Sequence, residues 1–252
     1  MNISIASFVL TTLALAASAA ANAAIIDFES ATSTTAPNFP AIGHGEEFSS
    51  DGFWFAGHSN SAFAEPGDLI GAMLDGADKQ SSNCMDWYMV CPINNDTRYY
   101  GLLNDGVLGF GREDGASFRV NKLQASFLAP DLDYYNTPLT TLVMRFQGTK
   151  ANGDVLSVNV RLPGPLHGEY KFRNYTVPAD YASVDFMQMA VYGMACNTIR
   201  VCTAFDSNRA QFVLDNIDVT VAAPVPEPGA WLLMSLGLVA VLARARRRPA
   251  QA

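Results

Sequence analysis

The chain has 252 residues, 49% of them hydrophobic, and its 24 acidic side chains outnumber 16 basic ones for a net charge of −8. With Glu227 and the four tail arginines (Arg244, Arg246, Arg247, Arg248) set aside, the stretch 24–222 holds 23 acids and 12 bases and carries about −11. So acidic a surface argues against nucleic acid as a partner and leaves neutral sugars, divalent cations or basic partners.

In chain order, Ile3 to Ala21 is apolar and small, and Ala21-Asn22-Ala23 has the small-x-small form of a signal-peptidase site. Residues 1–23 are therefore expected to be a secretory signal peptide cut by signal peptidase after Ala23. The segment MNIS has no Lys or Arg, so the amino terminus alone supplies its positive charge. From residue 24 to about 222 the chain is one domain's worth, long enough for a substantial core. Its apolar runs are short: IIDF, GFWFA, RYYGLL, SFRV, QASFL, YKFRNYTV, VDFMQMAVY and QFVLDNIDVTV, each bounded by Gly, Pro, Asn or Asp. TLVMRFQG and VLSVNVRL alternate with a period of two, placing Leu156, Val158, Val160 and Leu162 on one side. The Asn-Gly of TKANGD between them predicts a hairpin. No amphipathic helix is legible between 25 and 222, and the expected fold is all-β, a two-sheet antiparallel β-sandwich of jelly-roll type.

In QFVLDNIDVTV the apolar set runs Phe212 and Leu214, then Ile217, Val219 and Val221, a change of phase across Asp215-Asn216. Either the strand carries a bulge there, or Asp215 faces solvent on a strand apolar on both sides. The four cysteines fall in two close pairs, Cys84 with Cys91 and Cys196 with Cys202. In an exported chain, proximity favours those two disulfides among three possible connectivities. A zinc site is a poor rival, because the spacings exceed those of a knuckle and His44, His58 and His167 lie far from either pair in sequence.

Pro224, Pro226 and Pro228 close the folded region, so 223–229 reads as a Pro-rich linker. Ala230 to Ala243 carries no charge, and Arg244, Arg246, Arg247 and Arg248 follow at once, the order of a membrane helix (230–243) with a basic cytoplasmic tail (244–252). The run rises only about 21 Å against a hydrocarbon core of roughly 30 Å, which suits a core helix with a solvated tail. Local thinning and snorkelling arginines would make up the difference for a briefly held anchor.

The order V-P-E-P-G, apolar run, arginine cluster, chain end resembles the PEP-CTERM sorting signal of Gram-negative bacteria, with Pro226, Glu227 and Pro228 as its tripeptide. That resemblance implies an exosortase as partner, transient anchoring in the inner membrane, and delivery to the cell surface or an exopolysaccharide matrix, in the setting of biofilm or floc. A second resemblance rests on Ile26-Asp27-Phe28-Glu29 and Leu214-Asp215-Asn216-Ile217, which are similar to the first and last strands of jelly-roll carbohydrate-binding modules. It implies a structural calcium ion held by Glu29 and Asp215 with backbone carbonyls, a hard oxygen shell that would join the terminal strands.

Sugar rings stack on exposed aromatics. Trp87 and Tyr88, inside the Cys84 to Cys91 loop, are the candidate contacts, with Tyr99-Tyr100 and Tyr134-Tyr135 as others, and Trp54 reads as core. G-x-S-x-G, H-E-x-x-H and the P-loop are absent, and HGEEFSSDG offers only adjacent carboxylates. Asp131, Asp133 and Asn136 open like a calcium loop without its Gly and Glu. The expectation is a non-catalytic, carbohydrate-binding matrix protein. A purely structural adhesion protein and a hydrolase such as a glycosidase, which needs only two placed acids, are the alternatives.

Overall fold

The structure is a computed structural model, and it describes residues 22–78, 89–130, 141–164, 169–197, 201–205 and 209–221. In chain order its strands are β1 (Asn22–Ile26), β2 (Ala41–Gly43), β3 (Glu47–Ser50), β4 (Phe53–Ser59), β5 (Leu69–Asp75), β6 (Met89–Val90), β7 (Arg98–Leu102) and β8 (Gly106–Arg112). There follow β9 (Phe118–Phe127), β10 (Ala129–Pro130), β11 (Thr141–Thr149), β12 (Val155–Pro163), β13 (Arg173–Thr176), β14 (Gln188–Cys196), β15 (Cys202–Ala204) and β16 (Phe212–Val221). Among the described residues the one helix, α1, is the single turn Ala179–Ala182, and none is long and apolar enough to cross a membrane. The expected membrane segment 230–243, with its linker and tail, lies outside the described residues, as do residues 1–21 of the expected signal.

Two seven-stranded antiparallel sheets form a sandwich. One runs β13-β9-β16-β7-β5-β2, with β1 also pairing β16; the other runs β12-β11-β14-β8-β4-β3, with β15 also pairing β14. Successive strands mostly alternate between the sheets, the jelly-roll habit. The hairpin read from the sequence is β11–β12, in register from Thr141 opposite Pro163 to Thr149 opposite Val155. At its turn Gly153 takes φ +86°, the Gly153 N–H donates to the Lys150 carbonyl at 3.0 Å, and the Asn152 side chain caps Asp154.

Between the sheets lie the inward halves of each alternation: Phe53 and Phe55, Leu108 and Phe110, Leu142, Met144 and Phe146, and Phe212 and Leu214. Phe48 and Phe55 stack at 4.8 Å between centroids, with Phe28 5.4 Å from Phe55. Phe28 lies just beyond β1 and is fully buried at φ +60°, a left-handed conformation that costs a bulky residue about 1–3 kcal/mol. Burial of its ring, about 1.5–3 kcal/mol for a whole side chain, offsets that cost. The turn starts at Asp27, whose Oδ1 accepts the Glu29 N–H at 3.0 Å, and it aims Glu29 at the start of β7.

β16 is where the chain ends meet. Its second half ladders with β1, from Ile217 opposite Ile26 to Val221 opposite Asn22. Asn22 and Ala23, the residues before the expected cleavage point, thus stand opposite Val221 and Thr220, and in the processed chain the ladder would begin at Ala24.

Candidate functional site

The phase change in the last strand is a change of partners. On one side β16 follows β9 throughout; on the other it pairs with β7 through Leu214 and with β1 from Ile217. Asp215 and Asn216 bridge that handover. The register against β9 shifts between Asp215 and Asp218, which is the bulge, and Asn216 takes φ +47°, a conformation Asn tolerates. Asp215 is completely buried, so it does not face solvent.

Its carboxylate is surrounded by donors. Oδ2 accepts from Asn95 Nδ2 at 2.7 Å, Asn216 Nδ2 at 2.9 Å and Thr97 Oγ1 at 3.1 Å, and Oδ1 accepts the Asn216 N–H at 2.7 Å. Asn95 is held in that orientation because its Oδ1 accepts the Thr97 N–H at 2.7 Å. Burial nevertheless pushes the Asp215 carboxyl up to about 6, against the opposing hydrogen bonds and with a further push from Asp27. Glu29 reaches the same segment, accepting the Arg98 N–H at 2.6 Å. Both carboxylates proposed from the sequence as calcium ligands therefore strap residues 95–98 to the terminal strands. Asn95 and Asn216 present N–H donors to Asp215, and the Thr97 hydroxyl lies between Asp215 Oδ2 and Asn95 Oδ1, 2.5 Å from the latter. As arranged, the Asp215 carboxylate is held by hydrogen bonds from three residues.

The other candidates separate. Trp87, Tyr88 and Cys84 lie outside the described residues, with Asp131, Asp133, Tyr134, Tyr135, Asn136 and His167. Cys91 is disulfide-bonded, and Cys196 is bonded to Cys202, directly opposite it in the β14–β15 pair. Tyr99 and Tyr100 are buried, so neither is a ligand contact; burial, then Asp75 and Asp215, push the Tyr99 phenol up to about 12, and burial alone holds Tyr100 well above its ordinary value. In HGEEFSSDG, Glu46 accepts the Gly43 N–H of its own turn at 2.6 Å, and Asp51 accepts the Asp27 N–H at 3.2 Å.

Trp54 corrects the sequence analysis. It is not core: Phe53 and Phe55 point inward, so strict alternation turns Trp54 onto the outer face of its sheet, where it is half-buried. Its ring lies over β8, and a Cβ on Gly111 would meet Trp54 Cζ2 at 2.8 Å. The registers place Ala56, Gly109 and Ala190 side by side across β4, β8 and β14. That row of small residues is a trough floor. One flank is the row of Trp54, Gly111 and Gln188; the other is His58, Val107, Tyr192, Arg145 and Asn159. At about 3.4 Å per residue the two flanks, four residues apart on each strand, are about 13–14 Å apart at the backbone, and the Trp54 and His58 side chains both lean over the floor, each 3.9 Å from where a Cβ on Gly109 would stand. Tyr192 is braced by Phe205, stacked on it at 5.3 Å, just beyond the strand that Cys202 ties to Cys196.

At the C-terminus, residues 224–248 match the family model described as the PEP-CTERM protein-sorting motif. The motif implies export, sorting from a membrane-anchored state to the surface, and processing by an exosortase. No curated protein matches the sequence. Solved structures with similarity to it include the following. A DUF4465 family protein from Bacteroides ovatus ATCC 8483 is 10% identical over 80% of this chain and 99% of its own, with a TM-score of 0.44. TmCBM61, in complex with beta-1,4-galactotriose, is 9% identical over 75% of this chain and 99% of its own, at 0.31. The C-terminal family 22 carbohydrate binding module of Clostridium thermocellum Xyn10B is 12% identical over 69% and 88%, at 0.29.

Proposed function

We propose that this is a non-catalytic surface or exopolysaccharide-matrix protein whose trough takes a glycan chain, and that it acts in biofilm or floc after release through its sorting motif. The observation that carries this is the trough: a half-buried indole on a sheet face beside a floor of Ala56, Gly109 and Ala190. An aromatic platform with amides and hydroxyls around it is what a sugar ring's apolar face and hydroxyl edge require. Strands β4, β8, β11, β12 and β14 contain no Asp or Glu, and Glu47 of β3, opposite Ala56, is the one carboxylate that these six strands bring to this face, where hydrolysis of glycosides uses two.

The experiment is affinity electrophoresis of the full-length chain through gels containing a panel of glycans. Trp54→Ala should weaken binding about tenfold or more, the loss of one stacking platform. Gly109→Ala is the cleaner probe, because its Cβ would meet nothing closer than 3.8 Å and so leaves the fold intact while raising a methyl from the floor. Weaker binding with an unchanged melting temperature is expected. If both variants bind like the parent, the trough is not the site; if the parent binds no glycan, a purely structural adhesion protein is left.

A further inference from the structure

The trough carries a charge pattern that the fold does not need. Arg145 lies on its flank, half-buried between Tyr192 on β14 and Asn159 on β12, and its Nε–H donates to Asn159 Oδ1 at 2.9 Å. That bond orients the guanidinium and leaves both terminal NH₂ groups without a carboxylate among the described residues. Arg161 lies two residues beyond Asn159 on the same exposed face, diagonal to Arg145, a placement that sets Cα atoms about 7–8 Å apart. It too has no acidic partner among the described residues.

Five other bases are matched with acids, Arg112 with Asp114, Arg119 with Asp185, Lys122 with Asp218, Lys150 with Asp154 and Lys171 with Glu169, while the Arg98 guanidinium bonds the Glu29 carbonyl. In a domain where acids outnumber bases, these two arginines are neighbours on five strands free of acid, with Glu47 of β3 opposite Ala56 at the other end of the face. Like charges side by side without a counter-charge contribute nothing favourable to the sandwich.

We propose that the ligand of the trough is an acidic glycan, one bearing carboxylates on its sugars, with Arg145 holding a carboxylate through its terminal NH₂ edge while the sugar lies along the floor. This rests on the glycan reading above and narrows it. A planar guanidinium already fixed through one N–H loses little freedom on binding and matches a carboxylate's geometry. Arg161 adds attraction at longer range. The rest of the domain is acidic and repels such a polymer, which confines contact to this face and fixes its orientation.

The test uses the full-length chain and three acidic polymers, polygalacturonate, alginate and hyaluronate, each beside its carboxyl-reduced form, in which every uronate has become the neutral sugar. The expected result is that at least one acidic polymer is bound, that its reduced form binds about tenfold or more weakly, and that Arg145→Gln loses about the same factor. Arg161→Gln, at an exposed position, should lose a few-fold with no change in melting temperature. If reduced polymers bind as well as their parents, if only neutral glycans bind, or if Arg145→Gln binds like the parent, the acidic-ligand inference is overturned while the trough stands. If no polymer of either kind is bound, both fall.

Discussion

Replacing Asp215 by Asn removes a titrating group from the handover point of β16, and the consequence has a definite sign. The native carboxyl keeps its proton up to about pH 6, whereas in the unfolded chain it lets go near 3.8. Between those values the native state binds more protons than the unfolded state, so stability from this group falls as pH rises. The contribution is present in full below about 3.8 and is lost by the time pH has passed through about 6. A shift of about two units is worth about 3 kcal/mol as an upper figure, or about 6–12 °C in melting temperature for a domain of this size. The measurement is thermal unfolding of parent and Asp215→Asn from pH 4 to pH 7 with a chelator present, read as the difference between them. Other carboxylates cancel in that difference, and any fixed effect of the amide is independent of pH. The parent should lose ground to the variant steadily across the range. Parallel curves would refute the raised carboxyl. The opposite slope, appearing only when calcium replaces the chelator, would mean that a cation occupies the Glu29 and Asp215 carboxylates, because it binds the ionised form alone and stabilises by mass action.

Two further outcomes are expected. Alanine at Pro226, Glu227 and Pro228 should leave a membrane-retained precursor, while the released parent should lack Trp231 to Ala252 by intact mass; a released protein whose mass includes those residues sinks the sorting assignment. Gly193→Ala would put a Cβ 1.9 Å from the Ala210 carbonyl oxygen, a backbone atom that cannot turn away, so the variant should lose about 3 kcal/mol or more in a denaturant titration. A midpoint equal to the parent's would show that β14 and the chain before β16 do not approach as described.

Local features of the fold were legible because they are written in neighbouring residues. Asn152-Gly153 between two alternating runs could hardly be anything but a hairpin turn, and the slip of the apolar phase at Asp215-Asn216 is the sequence trace of a bulge. The same rule would have placed Trp54: in Phe53-Trp54-Phe55 a period of two cannot send all three rings inward, and the buried phenylalanines settle which way the indole goes. What local pattern cannot supply is which strands lie side by side. That Arg145 faces Tyr192, that Arg161 falls diagonal to it, and that Ala56, Gly109 and Ala190 form one row all depend on register between strands far apart in the chain. Asp215 illustrates the same limit. Its partners Asn95 and Thr97 lie on a segment with no periodic signal of its own.

The position of β16 also determines how the molecule would respond to force. A protein held by its tail and pulled by a glycan on the opposite sheet takes its load at Val221, along the axis of a strand flanked by β9 on one side and by β7 and β1 on the other. Pulled lengthwise, such a strand shears, and its ladder bonds must fail together rather than unzip one by one. Its lifetime under tension is then governed by the barrier to unfolding rather than by equilibrium stability. The strand that joins domain to tail is thus one of the best secured in its sheet, with Asn95 and Thr97 strapping the bulge at Asp215-Asn216 midway along it.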